Sequence, residues 1–181
     1  PNLIDLVIQA WREALGEEIR YNTKMPGRGN SDGIFHVYGD KDAELDMAAG
    51  IALDSKCQYA AVCNAMETLL VHTDIADEFL SRIKTMYDVE GVELRGDERV
   101  RAVIKCDAAS DEDWITEYND LILSIRIVDS AGDAIDHINR YGSHHTDAIV
   151  TTNKLTAERL LSEGESSVLT WNCATSFAVG M

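Results

Sequence analysis

The spacing of hydrophobic and polar residues divides this chain into two unequal parts. Across residues 3–15 apolar side chains recur every three or four positions, which predicts an amphipathic helix, and Asn2 is suited to cap its start. Residues 20–33 hold Pro26 and three glycines, a composition that predicts a loop. The first thirty residues are therefore expected to form one helix followed by a loop.

From about residue 33 onward, short β-rich runs alternate with longer amphipathic runs. Glycines such as Gly91 and Gly142 and a capping residue such as Asn153 bound the longer runs. The predicted strands are 34–39, 68–72, 92–96, 120–129, 147–152 and 167–172, and the predicted helices are 40–56, 74–89, 97–104, 132–142 and 153–164. This alternation is typical of an α/β fold in which helices flank a mostly parallel sheet.

Both ends of this pattern are abrupt. The chain starts on a predicted helix that no strand precedes, and it stops at Met181 shortly after a predicted strand. Neither an internal repeat nor a low-complexity tract interrupts the pattern. We therefore expect the chain to be part of a larger protein.

Charge and hydropathy narrow the classes of partner. The chain carries 32 acidic and 16 basic residues, for a formal net charge of −16. A negative field of this size repels nucleic-acid phosphates and anionic membrane surfaces, so neither is expected as a partner. No apolar run approaches the roughly 20 residues that a membrane-spanning helix needs, so membrane insertion is not expected either. Small-molecule substrates remain possible.

The four cysteines offer the first candidate chemistry. They form no CxxC pair, so we predict no metal site and expect free thiols in a reducing compartment. Cys57 and Cys106 end apolar runs, where a cysteine usually packs in the core. Cys63 follows a loop, and a thiol there without a histidine partner needs backbone amides, such as those of a helical turn starting after residue 62, to stabilise its thiolate. From spacing alone, Cys63 is either a reactive thiol or a packed one.

Several longer motifs together resemble one family. The segments VCNAMETLLVH, GVELRGDE, TEYNDLILSIRIVDS, DAIDHINRYGSHHTDAIVTT and WNCAT are similar to gamma-glutamyl phosphate reductase, also called glutamate-5-semialdehyde dehydrogenase. They are equally similar to the reductase domain of Δ1-pyrroline-5-carboxylate synthase, and both belong to the aldehyde dehydrogenase superfamily. The resemblance implies that residues 31–181 form an aldehyde dehydrogenase-like catalytic domain, with most of the cofactor domain absent. Residues 1–30, the predicted helix and loop, are atypical for the family.

The resemblance also implies an activity and the residues that carry it. The family reduces L-glutamyl 5-phosphate to glutamate 5-semialdehyde with NADPH, in proline biosynthesis, through a cysteine thioester. Cys63 matches the nucleophile, and its backbone N–H is a candidate donor to the oxyanion. Glu117 matches the glutamate that contacts the nicotinamide ribose. The implied substrate contacts are Asn64, Asn172, Cys173 and Thr175. His145 also stands at a family position, where we expect a structural hydrogen bond rather than a chemical role.

Four departures from the family pattern bear on these expectations. Phe35 and Gly39 stand in GIFHVYGD where the family has cysteine and valine, and Ala60 stands where proline is usual. Ser176 replaces an arginine that could meet an anionic substrate, which puts substrate binding in question. These changes suggest an engineered or stabilised fragment.

The missing cofactor domain sets the remaining expectations. No GxGxxG fingerprint is present, so we expect this chain alone to bind NADPH weakly and to have weak or no reductase activity. The alternative is a non-catalytic or engineered domain of the same fold that serves for folding or interaction. A plain acidic α/β domain with another ligand is a third possibility that the motifs disfavour. The parent is expected to be a cytoplasmic homo-oligomer, or mitochondrial if it is an animal bifunctional synthase.

Overall fold

A computed structural model describes residues 7–9, 27–29, 33–62 and 65–175 of the chain. The strands are β1 Val7–Gln9, β2 Gly27–Gly29, β3 Phe35–Gly39, β4 Met66–His72, β5 Glu93–Gly96, β6 Asp107–Ala108, β7 Ile122–Val128, β8 Thr146–Val150 and β9 Val168–Trp171. The helices are α1 Leu45–Cys57, α2 Ala76–Glu90, α3 Glu98–Val103, α4 Ala131–Tyr141 and α5 Lys154–Glu163. Short 3-10 turns occupy Thr73–Ile75 and Asp113–Ile115.

Seven of these strands form one parallel sheet. Their order across the sheet is β6–β5–β7–β4–β3–β8–β9, and every neighbouring pair is parallel. Parallel neighbours need crossover connections, which the helices between the strands provide. The predicted α/β fold with a parallel sheet flanked by helices is confirmed.

Apolar side chains cover both faces of this sheet. Val37 and Leu69 pack with residues of α1, α2 and α3 on what we call the α1 face. Tyr38 and Leu70, their neighbours in sequence, pack with residues of α4 and α5 on the α4 face. Successive side chains of a strand point to opposite faces, so β3 and β4 supply both cores at once. This explains why every residue of β3 and β4 is buried.

The N-terminal segment differs from the prediction. Residues 7–9 were expected to be helical and residues 27–29 to lie in a loop, but β1 and β2 pair in parallel, with Val7 opposite Gly27 and Gln9 opposite Gly29. Both predictions are wrong at these residues. Val7 and Ile8 are β-branched, a residue type that favours strands, and a short apolar run alone does not distinguish a strand from a helix.

The other boundaries shift by a few residues. Helix α1 begins at Leu45 rather than at residue 40, because the Glu44 carboxylate caps the N–H groups of Asp46 and Met47. Strand β4 begins two residues earlier than expected, at Met66. Strand β6 has only two residues and was not predicted, since a run that short leaves no periodic signal.

The parallel arrangement places strand ends of the same kind at the same edge of the sheet. The described residues before β4, 58–62 and 65, and those before β7, 116–121, lead into the sheet at what we call the amino edge. The segments after β8 and β9 begin at the opposite, carboxyl edge. Within the part of the chain that the structure describes, no helix is both long enough and apolar enough to cross a membrane.

Candidate active site at the amino edge of the sheet

The predicted nucleophile belongs to the connection between α1 and β4. Cys63 and Asn64, the predicted substrate contact that follows it, lie outside the described residues. Before them, Val62 has 43% of its surface exposed, and after them Ala65 is buried at 4%. The Ala65 N–H donates to the Val62 carbonyl at 3.0 Å, so one hydrogen bond closes the backbone on either side of Cys63. The connection thus passes from the solvent-exposed surface into the core at this point.

The helical turn expected after residue 62 would begin at Cys63 and Asn64, which lie outside the described residues. Strand β4 begins at Met66, and all seven of its residues are buried. The helical turn expected there stays a prediction, and any such turn ends before Met66. The run from Met66 to Val71 supplies side chains to both faces of the sheet, which a helical turn would not allow.

A buried ion pair joins the two sides of this connection. Lys56, next to last in α1, places its Nζ 2.7 Å from Oε2 of Glu67, the second residue of β4. Their side chains are 0% and 2% exposed. Burial raises the pKa of Glu67 to about 7, although the nearby Lys56 ammonium acts in the opposite direction. The pair is therefore held at considerable desolvation cost beside the Cys63 segment.

The segment that carries Glu117 is bound to the same carboxylate. The Asn119 backbone N–H donates to Oε1 of Glu67 at 3.3 Å. Asn119 adopts a left-handed backbone with φ of 55°, which asparagine tolerates better than most residues. Glu117 is half-buried, and its negative charge also acts to raise the pKa of Glu67. The structure thus brings Glu117 to the start of β4, close in the fold to the segment of Cys63.

A second polar cluster fixes the residues beside Glu117. Asp113 is buried, and its Oδ1 accepts hydrogen bonds from the Tyr118 hydroxyl at 2.6 Å and from Arg95 at 2.7 Å. Its Oδ2 accepts from the backbone N–H and the hydroxyl of Ser110 at 2.6 and 2.8 Å. Burial alone would raise the pKa of Asp113, but these hydrogen bonds hold that pKa well below its usual range. The ionised carboxylate anchors Tyr118 and so limits the positions open to Glu117.

The predicted substrate residues at the end of β9 occupy two different places. Asn172 lies at the carboxyl edge, where its side-chain amide accepts from the Thr151 N–H at 2.9 Å and donates to the Thr151 carbonyl at 3.0 Å. The chain then runs back toward the end of α1, and the buried Thr175 donates its N–H to the Ser55 hydroxyl at 3.2 Å. Thr175 therefore lies beside the residue that precedes Lys56. Cys173 is half-buried between these two positions.

The remaining cysteines behave as packed thiols. Cys57 and Cys106 are partly buried against the core of the α1 face. Burial raises the pKa of Cys57 to about 11 and raises the pKa of Cys106 as well. Both cysteines pack against the core, as predicted, and the same burial disfavours their thiolate forms. Nδ1 of His145 and the hydroxyl oxygen of Thr146 share a hydrogen bond of 2.7 Å, which is the structural role expected of His145.

Sequence reasoning missed the polar residues that organise this edge. These residues are Lys56, Glu67, Asp113 and Tyr118. One signal was present: Glu67 directly precedes the run TLLVH that was predicted to be a buried strand, and an acid is rarely buried without a partner. Its partner could not be deduced, because Lys56 lies in a different element and shares no periodicity with it.

Among the residues that the structure describes, no three His, Cys, Asp or Glu side chains are grouped so as to hold a metal ion. At the amino edge, Lys56 and Glu67 bind each other instead.

Comparison with known proteins adds a second, independent set of observations. No protein-family model matches the chain. The gamma-glutamyl phosphate reductase of Synechococcus sp. (strain RCC307) is 49% identical over 178 residues, which are 98% of this chain and 40% of that protein. The crystal structure of gamma-glutamyl phosphate reductase from Thermotoga maritima superposes with a TM-score of 0.92 at 35% identity, covering 96% of this chain and 42% of that one. Rhodopseudomonas palustris propionaldehyde dehydrogenase with bound propionyl-CoA superposes with a TM-score of 0.76 at 13% identity, covering 99% and 48% of the two chains.

The fold defines the class first: this is an α/β domain of the aldehyde dehydrogenase type, as the sequence motifs implied. Within that class the chain is similar to the gamma-glutamyl phosphate reductases over nearly its whole length. It spans about two fifths of the length of the relatives it matches.

Proposed function

We propose that this chain is the nucleophile-bearing part of an oxidoreductase that reduces L-glutamyl 5-phosphate to glutamate 5-semialdehyde in proline biosynthesis. Cys63 acts as the nucleophile, and Glu117 binds the ribose of NADPH. The substrate contacts are Asn64, Asn172, Cys173 and Thr175. The parent protein is a homo-oligomer of the cytoplasm, or of mitochondria if it is an animal bifunctional synthase.

The observation that carries this proposal is the contact between the Glu117 segment and the start of β4. The hydrogen bond from the Asn119 N–H to Glu67 supports a site in which two residues far apart in sequence serve one reaction. Cys63 is four positions before Glu67 in the sequence, so its segment leads into the strand end that the Glu117 segment contacts. If this corner served only for packing, it would not need the half-buried carboxylate of Glu117 in addition to that of Glu67.

The chemistry divides between the thiol and the backbone around it. The Cys63 thiolate attacks the acyl carbon of the acyl phosphate, the C–O bond to phosphate breaks, and a thioester remains on the sulfur. NADPH supplies the hydride that reduces this thioester. The resulting thiohemiacetal loses the thiolate and releases the aldehyde. The Cys63 N–H is the donor from this chain that stabilises the oxyanion in both tetrahedral stages.

The Glu117 carboxylate fits the demands of a ribose. Its two oxygens can accept hydrogen bonds from two adjacent hydroxyls. Among the described residues no side chain or backbone group forms an ion pair or hydrogen bond with this carboxylate, so its acceptors remain available. We expect this chain alone to bind NADPH weakly, since it spans only about two fifths of the length of its relatives.

Thiol alkylation tests the role of Cys63. The chain is treated with iodoacetamide at neutral pH, and each cysteine is followed by quantitative peptide mass spectrometry. Cys63 is expected to react at least about tenfold faster than Cys57 and Cys106, because a catalytic thiol is more ionised and more accessible than a packed one. Equal and slow labelling of all these cysteines would contradict the catalytic role and favour a non-catalytic folding or interaction domain.

A matched variant shows which cysteine gives the fast phase of labelling. In the Cys63→Ser variant, the fast phase of labelling should disappear, while the labelling of Cys57, Cys106 and Cys173 keeps its rates. A fast phase that survives this substitution would assign the reactive thiol to another cysteine. Robust NADPH-dependent turnover by the chain alone would refute the expectation that it needs the rest of its parent.

A further inference from the structure

We propose that Glu67 is a positioning residue that couples the segment of the nucleophile to the segment that binds the cofactor ribose. Its two carboxylate oxygens bind different parts of the chain, Oε2 the Lys56 ammonium and Oε1 the Asn119 backbone N–H. The inference rests on the proposed function, because it takes Cys63 as nucleophile and Glu117 as ribose ligand.

The first oxygen closes the connection that contains Cys63. Lys56 precedes this connection and Glu67 follows it, so the 2.7 Å ion pair joins its two ends. Both side chains are almost completely buried, and each therefore needs the other in order to remain charged. The connection is held at a fixed span by a contact between the last turn of a helix and the second residue of a central strand. Neither element can shift without breaking this contact.

The second oxygen holds the backbone two residues beyond Glu117. Asn119 has a φ of 55°, a conformation that needs support from its surroundings in any residue other than glycine. Its N–H donates to Glu67, and its side-chain amide donates to the Glu117 carbonyl at 3.4 Å. A displacement of Glu67 would therefore be transmitted to Glu117 through a single residue.

A stabilising role alone does not account for this arrangement. A buried ion pair is often no more stable than well-packed apolar residues of the same size. Strand β4 is otherwise mostly apolar on the α1 face, with Leu69 and Val71 in the core. Methionine at positions 56 and 67 would fill the same space. What such residues would not provide is an acceptor for the Asn119 N–H.

Two double variants isolate that acceptor. Lys56→Met with Glu67→Gln removes both charges but keeps a carbonyl oxygen for the Asn119 N–H. Lys56→Met with Glu67→Met removes both charges and the acceptor. Neither leaves an unpaired buried charge, so both are expected to fold, and thermal unfolding monitored by circular dichroism verifies this. The two readouts are the exchange rate of the Asn119 amide hydrogen, measured by NMR, and the pH profile of Cys63 alkylation.

Coupling predicts that both readouts change together. Relative to the glutamine variant, the methionine variant should exchange the Asn119 amide hydrogen about fivefold faster or more, the effect of losing one hydrogen bond of ordinary strength. Its rate of Cys63 alkylation should differ from that of the glutamine variant by a similar factor. Cys57 and Cys106 should label equally in both variants. A faster Asn119 exchange with an unchanged Cys63 profile would overturn the proposal and leave Glu67 as a local structural residue.

Two single variants at Asn119 test the same contact from its donor side. Asn119→Ala strains the left-handed backbone, whereas Asn119→Gly tolerates it, and both leave Glu67 and Lys56 intact. Coupling predicts that the alanine variant changes the Cys63 profile and that the glycine variant does not; equal profiles would contradict it. These ratios can be measured whatever the absolute reactivity of Cys63. A slow Cys63 in the unmodified chain therefore counts against the proposed function alone.

Discussion

Two buried polar clusters lie on neighbouring strands but on opposite faces of the sheet. On the α1 face, Glu67 of β4 pairs with Lys56 and receives the Asn119 N–H. On the α4 face, His36 of β3 binds Asp147 at 3.0 Å and lies edge-on to His137, with ring centroids 5.4 Å apart. Both clusters contain an ionisable group whose pKa is far from its ordinary value.

The two clusters differ in what their polar atoms contact. Both oxygens of Glu67 bind partners in other segments, whereas Nε2 of His36 and Nε2 of His137 have no hydrogen-bond partner among the described residues. Burial, with help from the positive charges of Arg126 and Arg140, lowers the pKa of His137 to about 3. A strongly shifted pKa therefore marks burial on both faces. The cluster on the α1 face also contacts the segment of Glu117, and this contact, rather than the shifted pKa, supports the site that we propose there.

The largest expected effect comes from breaking the pair on the α1 face. Glu67→Met alone leaves the buried Lys56 ammonium without a counter-charge and should lower the free energy of unfolding by about 3–5 kcal/mol. Urea unfolding at pH 7 measures this loss. Adding Lys56→Met should recover most of it, because the double variant buries no charge. Equal losses in the single and double variants would show that the pair is not the origin of the effect.

The α4 face should respond to pH instead. His137 is neutral in the folded protein down to pH of about 3 but gains a proton near pH 6.5 when the chain unfolds. The unfolded state therefore binds more protons in this interval, and stability falls as pH falls, by up to about 1.4 kcal/mol per pH unit from this group. The stability difference between the chain and its His137→Gln variant, measured by urea unfolding from pH 7 to pH 4.5, should show this slope. A difference independent of pH would contradict a neutral, buried His137.

The smallest effect is expected at the surface and calibrates the other two. Lys154 and Glu158 form an exposed ion pair of 3.4 Å within α5. Lys154→Met should change the free energy of unfolding by less than about 0.5 kcal/mol, since water screens both charges. The same urea titration provides the measurement. A loss comparable to that of Glu67→Met would mean that charge removal in general, rather than burial, destabilises this protein.

Much of the sheet could be predicted from sequence because its signals are local. Strands such as β7 and β8 are β-rich runs, and helices such as α4 and α5 carry their own caps and stop signals. Val7–Gln9 was assigned incorrectly because pairing with a distant segment, rather than local periodicity, makes it a strand.

The candidate site could be predicted only in part. Cys63 and Glu117 were found through family motifs, and their roles stay predictions, as do those of Asn64 and Asn172. The contact between Glu67 and Asn119 joins residues separated by 52 positions, and no periodicity relates them. The left-handed backbone of Asn119 also leaves no mark on the hydrophobic pattern.

The most direct test of the account is acyl transfer to Cys63. The chain is incubated with acetyl phosphate, a small acyl phosphate, and the modified residues are identified by peptide mass spectrometry with and without hydroxylamine, which cleaves thioesters. The account predicts a hydroxylamine-sensitive acyl group on Cys63 that is absent from the Cys63→Ser variant. Acylation confined to lysines, or the same acylation of Cys57 and Cys106 as of Cys63, would contradict it.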